Sequence, residues 1–494
     1  MSFNRLGACA LLLLSACTTV PQPTAPMQPS EPITVPATQY PGEQGSFEMG
    51  RLAVKNRLNQ PKAPKRAKNV ILFVGDGMGV STVTAIRIHA GQKIGKTGEE
   101  HILSMESLPH AALSKTYNTN QQVSDSAGTA TALMTGQKTK AGVINVAPEI
   151  SRNDCAGSLA APLDNFLLQA ADQGYSTGVV STARLTHATP ATTYSNSPNR
   201  DWESLGDLPE LAKKQGCVPI AAQLEAALTS GRLDIAMGGG KGEFETGVEE
   251  RVGGTYIENK ESLGRINSQS QLPLLGLFSN SHMEFVRAKD ETNQEPSLAD
   301  MTAKAIDRLD AEDNGYFLMV EGGRIDHGHH AGRAELALDE GVAFDEAVAQ
   351  TLSQVDLSET LIIVTADHSH VFTIAGYPTR GNPILDVVKG NDEQGVPNGE
   401  YILGTDGLPY TTLGYQNGPG AVEGVRDPSA QPGEIIIQKA AIPTGYISNG
   451  EQRHSETHAG EDVPIFAIGP SSDLVSGVME QNVIYHIMRE AMGF

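Results

Sequence analysis

The sequence predicts an α/β fold in which a central, largely parallel β-sheet carries helices on both faces. One observation is the alternation of apolar runs rich in Val, Ile and Leu with segments of helical periodicity. The other is that three apolar runs lead directly into an acid, at Asp76, Glu321 and Asp367. Short runs that are apolar throughout fit strands buried on both faces. Because ligands bind at the carboxyl ends of parallel strands, we expect these acids to meet at one edge of the sheet.

Each predicted element rests on a local pattern. Strands are predicted in the apolar runs at residues 70–74, 177–181, 234–237, 361–365 and 464–468 and in the run that ends at Glu321. Helices are predicted where apolar residues recur with helical spacing, at residues 129–135, 163–172, 220–228, 298–309 and 334–355, from about residue 81, and more weakly at 47–58. Gly136 and Gly174 mark two helix ends, and Pro61 and Pro64 end the weak helix.

Residues 376–453 interrupt this alternation. They are rich in Gly, Pro, Asn and Asp and contain only short β-like pieces, such as residues 435–437. We interpret this segment as an inserted subdomain rather than as part of the core.

Length and charge limit the classes of function. A chain of 494 residues can bury a large core or fold as more than one domain. Its 36 Lys and Arg residues against 58 Asp and Glu residues give a formal net charge of −22, which disfavours binding to nucleic acid. The same charge does not exclude a phosphate site, because bound metal ions can invert the local charge.

The N-terminus predicts export. Arg5 precedes an apolar stretch that is too short to span a membrane, and Leu14-Ser-Ala-Cys17 resembles a bacterial lipoprotein cleavage box. That resemblance implies lipidation of Cys17, and Thr18 lacks the Asp that often retains lipoproteins at the inner membrane. We expect a periplasmic protein anchored at the outer membrane; a secreted protein cut near the same place is the alternative. Residues 18–46 are Pro-rich and predict an extended tether.

Two cysteines, Cys155 and Cys217, belong to the folded part of the chain. In an exported protein they are expected to form one disulfide rather than two buried thiols. Closing a loop of that size stabilises the fold by roughly 4 kcal/mol on the chain-entropy model.

Several residues have the types and spacing of metal ligands. Asp326 and His330 are four apart, so a helical turn places them on one face. Among the histidines of that run we expect one ligand, one hydrogen-bond donor to a ligand and one solvated side chain. Asp367 and His368 follow a predicted strand directly, and Asp76 lies between two glycines that allow close backbone approach to an ion. Taken alone, each pattern also fits an ordinary loop.

Ser126 lies at a predicted helix start, which stabilises an anion such as an alkoxide or a phosphate. The alternative is a plain capping serine. The sequence has no Gly-x-Ser-x-Gly motif, which disfavours a Ser-His-Asp hydrolase. If Ser126 is a nucleophile, we expect a metal ion rather than a histidine to activate it.

These motifs together resemble those of the alkaline phosphatases, in family order over about residues 47–494. The matching stretches are Gly75-Asp-Gly-Met-Gly79, Asp125-Ser-Ala-Gly-Thr-Ala-Thr131, His187-Ala-Thr-Pro190 with Arg200, Glu321-Gly-Gly-Arg-Ile-Asp-His-Gly-His-His330, Thr365-Ala-Asp-His-Ser-His370 and Glu456-Thr-His-Ala-Gly-Glu-Asp462. The resemblance implies one catalytic domain at 47–494, with 376–453 as its "crown", a subdomain at the surface of a homodimer.

The resemblance also implies a role for each site residue. A first zinc ion is assigned to Asp326, His330 and His458, a second to Asp76, Asp367 and His368, and a magnesium ion to Asp76, Thr189 and Glu321. Ser126 is implied as the nucleophile, Arg200 as the phosphate clamp, His187 and His327 as residues that shape the magnesium side and the phosphate pocket, and Cys155 with Cys217 as a family disulfide. Ser279 stands where animal-type members carry a carboxylate of an additional calcium site, which counts against such a site here.

The implied reaction is hydrolysis of small phosphate monoesters through a phosphoserine. The alternatives are a related metal-dependent phosphodiesterase or sulfatase-like hydrolase, and a surface lipoprotein that binds metal or phosphate without catalysis. The combination of Ser126, Arg200 and a complete magnesium ligand set favours monoesters. A non-catalytic protein is expected to lack one of these residues, and none is missing.

Overall fold

The computed structural model describes residues 65–421, 440–448 and 451–494. Cys17, the predicted tether at 18–46, the helix predicted at 47–58 and the β-like piece at 435–437 lie outside the described residues. Among the helices in the described ranges, none has both the length and the apolar character needed to cross a membrane.

The described chain contains one large sheet and several small ones. Its strands are β1 Asn69–Gly75, β2 His110–Lys115, β3 Ser176–Arg184, β4 Ile235–Gly239, β5 Thr255–Ile257, β6 Leu274–Leu277, β7 Tyr316–Gly322, β8 Thr360–Ala366, β9 Ser369–His370, β10 Phe372–Ile374, β11 Lys389–Asn391, β12 Pro397–Tyr401, β13 Leu413–Asn417, β14 Ala440–Ile442, β15 Gly445–Ser448, β16 Glu451–His454, β17 His458–Ala459, β18 Val463–Ile468 and β19 Gly477–Glu480.

The large sheet has ten strands in the order β19-β2-β18-β8-β1-β7-β3-β4-β6-β5. Strand β18 runs antiparallel to both of its neighbours, and all the other pairs in this sheet are parallel. The prediction of a largely parallel sheet is therefore confirmed. Within the described ranges, residues 376–453 contribute no strand to this sheet; their short strands form the pairs β11-β12 and β15-β16 and a three-stranded sheet with β10.

Helices cover the sheet on both faces. They are α1 Val80–Lys93, α2 Ser126–Thr135, α3 Cys155–Ala160, α4 Phe166–Asp172, α5 Ala188–Ala191, α6 Glu210–Gln215, α7 Ile220–Thr229, α8 Val248–Val252, α9 Lys260–Gly264, α10 Leu298–Leu309, α11 Arg324–His330, α12 Ala334–Gln354 and α13 Val483–Met492.

Strand β1 shows why the chain forms two apolar layers. All of its residues are buried, and successive side chains point to opposite faces. Ile71 and Phe73 belong to the core that also contains α1, α10 and α12. Val70, Leu72 and Val74 belong to the second core, with α2, α4, α7 and α13. A central parallel strand buried on both faces accounts for the continuous apolar run in the sequence.

Some elements were not predicted. Strands β5 and β6 have three and four residues, too few to show a period. Strand β2 is largely half-exposed, and its sequence His-Ala-Ala-Leu-Ser-Lys has little β-branched character.

The structure joins Cys155 and Cys217 in a disulfide with a Cα–Cα distance of 5.9 Å.

Candidate active site

Three central strands bring acids to one edge of the sheet. Strand β1 lies between β7 and β8, with Gly75 in register with Gly322 and with Ala366. Asp76, Glu321 and Asp367, at the carboxyl ends of these strands, are all fully buried. The expected meeting of the three acids at this edge is thus what the topology produces.

A first group of possible metal ligands consists of Asp326, His330 and His458. Asp326 and His330 lie on one face of α11, and His458 begins β17. The two histidine Nε2 atoms are 3.0 Å apart, and Asp326 Oδ1 is 3.3 Å from each of them. Ligands held about 2.0–2.1 Å from a tetrahedral zinc ion lie about 3.3 Å from one another. The three donor atoms therefore have a spacing that fits one zinc ion.

A second group lies beside the first and includes Ser126. His368 Nε2 is 3.4 Å from Asp76 Oδ1 and 3.4 Å from Asp367 Oδ2. Ser126 Oγ is 3.0 Å from His368 Nε2 and donates to Asp76 Oδ1 at 3.4 Å. The side chains of Asp76, Ser126, Asp367 and His368 thus lie close together. Their oxygen and nitrogen atoms are donor types that suit zinc.

A third group is marked by buried polar atoms that find no hydrogen-bond partner among the described residues. They are Asp76 Oδ2, Thr189 Oγ1, Glu321 Oε1 and His187 Nδ1. A buried polar atom without a partner costs free energy, so such a cluster fits a bound ligand that would pair with these atoms. Three of these atoms are oxygens, the ligand type that Mg²⁺ prefers.

The electrostatics also favour bound cations. Burial, followed by the repulsion of neighbouring carboxylates, raises the pKa of Asp76 well above its ordinary value. Burial likewise raises the pKa of Asp367, and that of Glu321 to about 7. Buried carboxylates this close together are stable in their ionised form only with positive charge between them.

Ser126 and Arg200 are held by the same acid. Ser126 is the first residue of α2, and Asp125 caps that helix by accepting from the Gly128 N–H at 3.2 Å. Asp125 also accepts from Arg200 at 3.1 Å and from the Gly142 N–H at 2.9 Å. This acid therefore fixes the guanidinium relative to the serine at the helix start.

Ser126 and Arg200 line one cavity of about 680 Å³ together with the first ligand group. His187 and His327, expected beside the magnesium side and the phosphate pocket, line it too. The volume leaves room for a phosphate and part of an organic leaving group.

The structure adds a third histidine, His282, which was not recognised in the sequence. Its ring centroid lies 4.1 Å from that of His327 and 5.3 Å from that of His187. Burial and nearby arginines lower the pKa of all three rings, that of His327 to about 3, so they are neutral acceptors. The donors are Arg200 to His187, Arg324 to His327 and Arg184 to His282, at 3.0, 3.2 and 2.6 Å.

The three histidines of α11 differ in their exposure. His329 is fully buried, 3.1 Å from the Thr82 hydroxyl and 2.8 Å from the Tyr415 hydroxyl, whereas His327 and His330 are partly exposed and line the cavity. Helix α11 packs His329 against β10 and β13, a contact that a local sequence pattern does not contain.

His370 and Glu456 complete the surroundings of the first ligand group. They lie inside the quoted motifs, but no local sequence pattern distinguishes them from their neighbours. Burial lowers the pKa of His370, yet Glu456 and Asp326 on either side outweigh this and raise it to about 10.

Comparisons with known proteins agree on one family. A family model described as alkaline phosphatase matches residues 67–494. The tissue-nonspecific alkaline phosphatase isozyme of Gallus gallus is 41% identical over 458 residues, which are 86% of this chain and 84% of that protein. The corresponding isozyme of Rattus norvegicus is 39% identical over 471 residues, 89% of this chain and 86% of that protein.

Solved structures agree on the fold. The crystal structure of Thermus thermophilus alkaline phosphatase superposes with a TM-score of 0.61 at 22% identity, covering 92% of this chain and 96% of that one. The structure of alkaline phosphatase from the Antarctic bacterium TAB5 gives a TM-score of 0.58 at 24% identity, covering 87% and 99%.

Proposed function

The chain belongs to the alkaline phosphatase family and hydrolyses phosphate monoesters, and we propose that it does so through a phosphoserine on Ser126 at a site for two zinc ions and one magnesium ion. The observation that carries this proposal is the position of Ser126 Oγ. It faces the second ligand group at 3.0–3.4 Å and shares one cavity with Arg200 and the first group.

The residues present fit these ions. Asp326, His330 and His458 would hold one zinc ion, and the second would be held by Asp367, His368 and Asp76. Asp76 Oδ2, Thr189 and Glu321 would hold magnesium, which would satisfy their unpaired buried atoms. When bound, two such cations supply Lewis acidity to the attacking and leaving oxygens of an in-line displacement.

Ser126, the N-terminus of α2 and Arg200 have separate roles in this reaction. Ser126 Oγ attacks phosphorus, the alcohol leaves, and water then cleaves the phosphoserine to free phosphate. The N-terminus of α2, where Ser126 lies, favours the negative charge that develops on this oxygen. Arg200 has five N–H donors, of which Asp125 and His187 occupy two, so it retains donors for two phosphate oxygens.

The substrate class is tested by comparing a phosphate monoester, a phosphate diester and a sulfate that share the same leaving group. We expect release of inorganic phosphate from an aryl phosphate to be much faster than cleavage of the matched diester or sulfate. A faster diester or sulfate reaction would indicate the related hydrolases instead.

Replacing Arg200 with alanine is expected to weaken phosphate binding. Charge-assisted hydrogen bonds contribute about 1.5–3 kcal/mol each, so the inhibition constant for phosphate should rise roughly 10- to 100-fold. Metal content should stay unchanged, because Arg200 contacts Asp125 and His187 rather than the two proposed zinc groups. Isothermal titration with phosphate measures the effect, and unaltered binding in Arg200→Ala would remove Arg200 from the phosphate site.

We further propose that Cys17 carries a lipid anchor and that residues 18–46 tether the catalytic domain to the periplasmic face of the outer membrane. The disulfide between Cys155 and Cys217 supports an oxidising compartment. Mass spectrometry of the mature N-terminus should find a diacylated or triacylated Cys17. An unmodified first residue beyond position 17 would contradict the anchor.

We also propose a homodimer in which the segments 47–58 and 376–453 meet the partner subunit. Tyr377 supports this interface: its side chain is 91% exposed, and its φ of +59° is one that non-glycine residues rarely adopt. Val396, Leu403 and Ile442 of the same segment are also more than half exposed. Exposed apolar side chains of this segment are candidates for an interaction surface.

Sedimentation at micromolar concentration tests the dimer. The chain without residues 1–17 should sediment at twice its monomer mass. Charged substitutions at Tyr377 and Leu403 should shift it toward the monomer, while the same change at exposed Leu211, outside the segment, should not. A single species at monomer mass before substitution would exclude the dimer.

A further inference from the structure

Glu456 is a buried carboxylate that no step of the proposed reaction uses. Its side chain is 0% exposed. Oε1 accepts from the Val371 N–H at 2.8 Å, and Oε2 lies 2.5 Å from His370 Nδ1. The other ring nitrogen of His370 lies 2.8 Å from Asp326 Oδ1. Because both neighbours are carboxylates, both ring nitrogens donate. A continuous chain of hydrogen bonds therefore runs from Glu456 through His370 to Asp326.

The main chain of Glu456 contacts a second member of the first ligand group. Its carbonyl oxygen is 2.8 Å from His330 Nδ1, and its N–H donates to the His330 carbonyl at 3.0 Å. A carbonyl can only accept, so His330 Nδ1 carries the proton and Nε2 keeps its lone pair. That lone pair is on the nitrogen that faces His458 Nε2 at 3.0 Å.

The short segment that contains Glu456 also carries His458, the third member of the first ligand group. His458 is two residues beyond Glu456, and its strand β17 pairs with β9 in the register His458 to His370. His458 Nδ1 donates to the Ser124 carbonyl at 2.8 Å, which likewise leaves Nε2 as the free donor atom. Glu456 therefore connects α11, β9 and β17, the elements that carry Asp326, His370 and His458.

From this arrangement we infer that Glu456 is a positioning residue for the first metal site: it aligns Asp326 through His370 and fixes the ligating tautomer of His330. The inference rests on the proposed function, because it concerns the zinc ion assigned to that site. It also predicts selectivity. Among the described contacts of Glu456, none is to Asp76, Asp367 or His368, so the second site should be insensitive to it.

Glu456→Gln isolates the carboxylate. Glutamine keeps the size and the main-chain contacts but has one acceptor oxygen for two donors, Val371 N–H and His370 Nδ1–H. Loss of such partners of metal ligands typically costs 10- to 100-fold in metal affinity. We expect Glu456→Gln to release one of its two zinc ions about 10- to 100-fold faster than the wild type, and the other at the wild-type rate.

The measurement is zinc release from the fully loaded enzyme to a chromogenic chelator, with total zinc from mass spectrometry. Asp345→Asn is the matched control. Asp345 is a buried carboxylate that accepts two main-chain N–H bonds, from Ser104 and Met105, both at 2.9 Å. Its variant should release both zinc ions at the wild-type rates.

A second variant tests the same hydrogen-bond chain in case Glu456→Gln does not fold. His370→Asn removes the ring that joins Glu456 to Asp326 and should accelerate release of the same single ion. Cobalt substitution identifies the site, since only the absorption bands of the first site should change. Two unchanged release rates in both folded variants, or acceleration of both ions, would overturn the inference. A wild-type chain that binds no zinc would instead overturn the proposed metal content and this inference with it.

Discussion

Replacing Ser126 with alanine is expected to lower kcat for an aryl phosphate by about 10³-fold or more, a loss typical of removing a catalytic nucleophile. Ser126 Oγ is the hydroxyl that lies 3.0 Å from His368 Nε2 at the start of α2. Its removal leaves the metal ligands in place, so a small residual hydrolysis by activated water can persist. Ser158→Ala, at a buried serine beside the disulfide, should keep wild-type turnover.

Trapping identifies the nucleophile directly. Brief incubation with labelled phosphate at low pH, followed by denaturation, should leave the label on the peptide that contains Ser126. The label should be missing in Ser126→Ala, whose zinc content should equal that of the wild type. Label on another residue, or wild-type turnover in Ser126→Ala, would show that the nucleophile is elsewhere.

Much of the fold could be predicted from the sequence where a pattern is long. The helix predicted at residues 298–309 is observed as Leu298–Leu309, because a capping serine and strong amphipathicity define it locally. Strand β1 exceeds its prediction by one residue at each end. Strands β5 and β6 could not be found, since three and four residues are too few to show a period and their pairing partners lie outside the local segment.

The residues of the candidate site also fall into two sets, one predictable from the sequence and one visible only in the structure. Asp76, Glu321 and Asp367 could be placed together because strand topology dictates where strand ends meet. Glu456 and His370 are 86 positions apart, and His282 is 98 positions from Arg184. No local spacing encodes such contacts. They arise when separate elements pack around the ligand groups, which is why the supporting residues appear only in the structure.

Removal of the metals should abolish activity. Exhaustive chelation is expected to lower turnover by several orders of magnitude, because the proposed reaction depends on cations at both apical oxygens. Adding zinc and magnesium back should restore it, with two zinc ions and one magnesium ion per chain by mass spectrometry. Each ion held at 1,000 times its Kd contributes about 4.1 kcal/mol to stability, so the melting temperature should fall as well.

The contribution of the buried carboxylates to the stability of the metal-free enzyme should depend on pH in a defined direction. Burial raises the pKa of Glu321 from an ordinary value of 4.5 to about 7 and raises that of Asp76 and Asp367. A group whose folded-state pKa is raised stabilises the fold at low pH, and that contribution is lost as pH rises through the folded pKa. These three carboxylates should therefore stabilise the metal-free protein less at pH 8 than at pH 6, whereas the buried histidines with lowered pKa act in the opposite direction over the same range.

The metal-loaded enzyme provides the contrast. Its carboxylates are ionised ligands at both pH values, so its melting temperature should change little over this range, until acid protonates the ligands and releases the ions. Glu321→Gln removes this carboxylate, so the melting temperature of the metal-free variant relative to the metal-free wild type should be higher at pH 8 than at pH 6. Full activity after rigorous chelation, or an equal effect of Glu321→Gln at both pH values, would contradict a site built around bound cations.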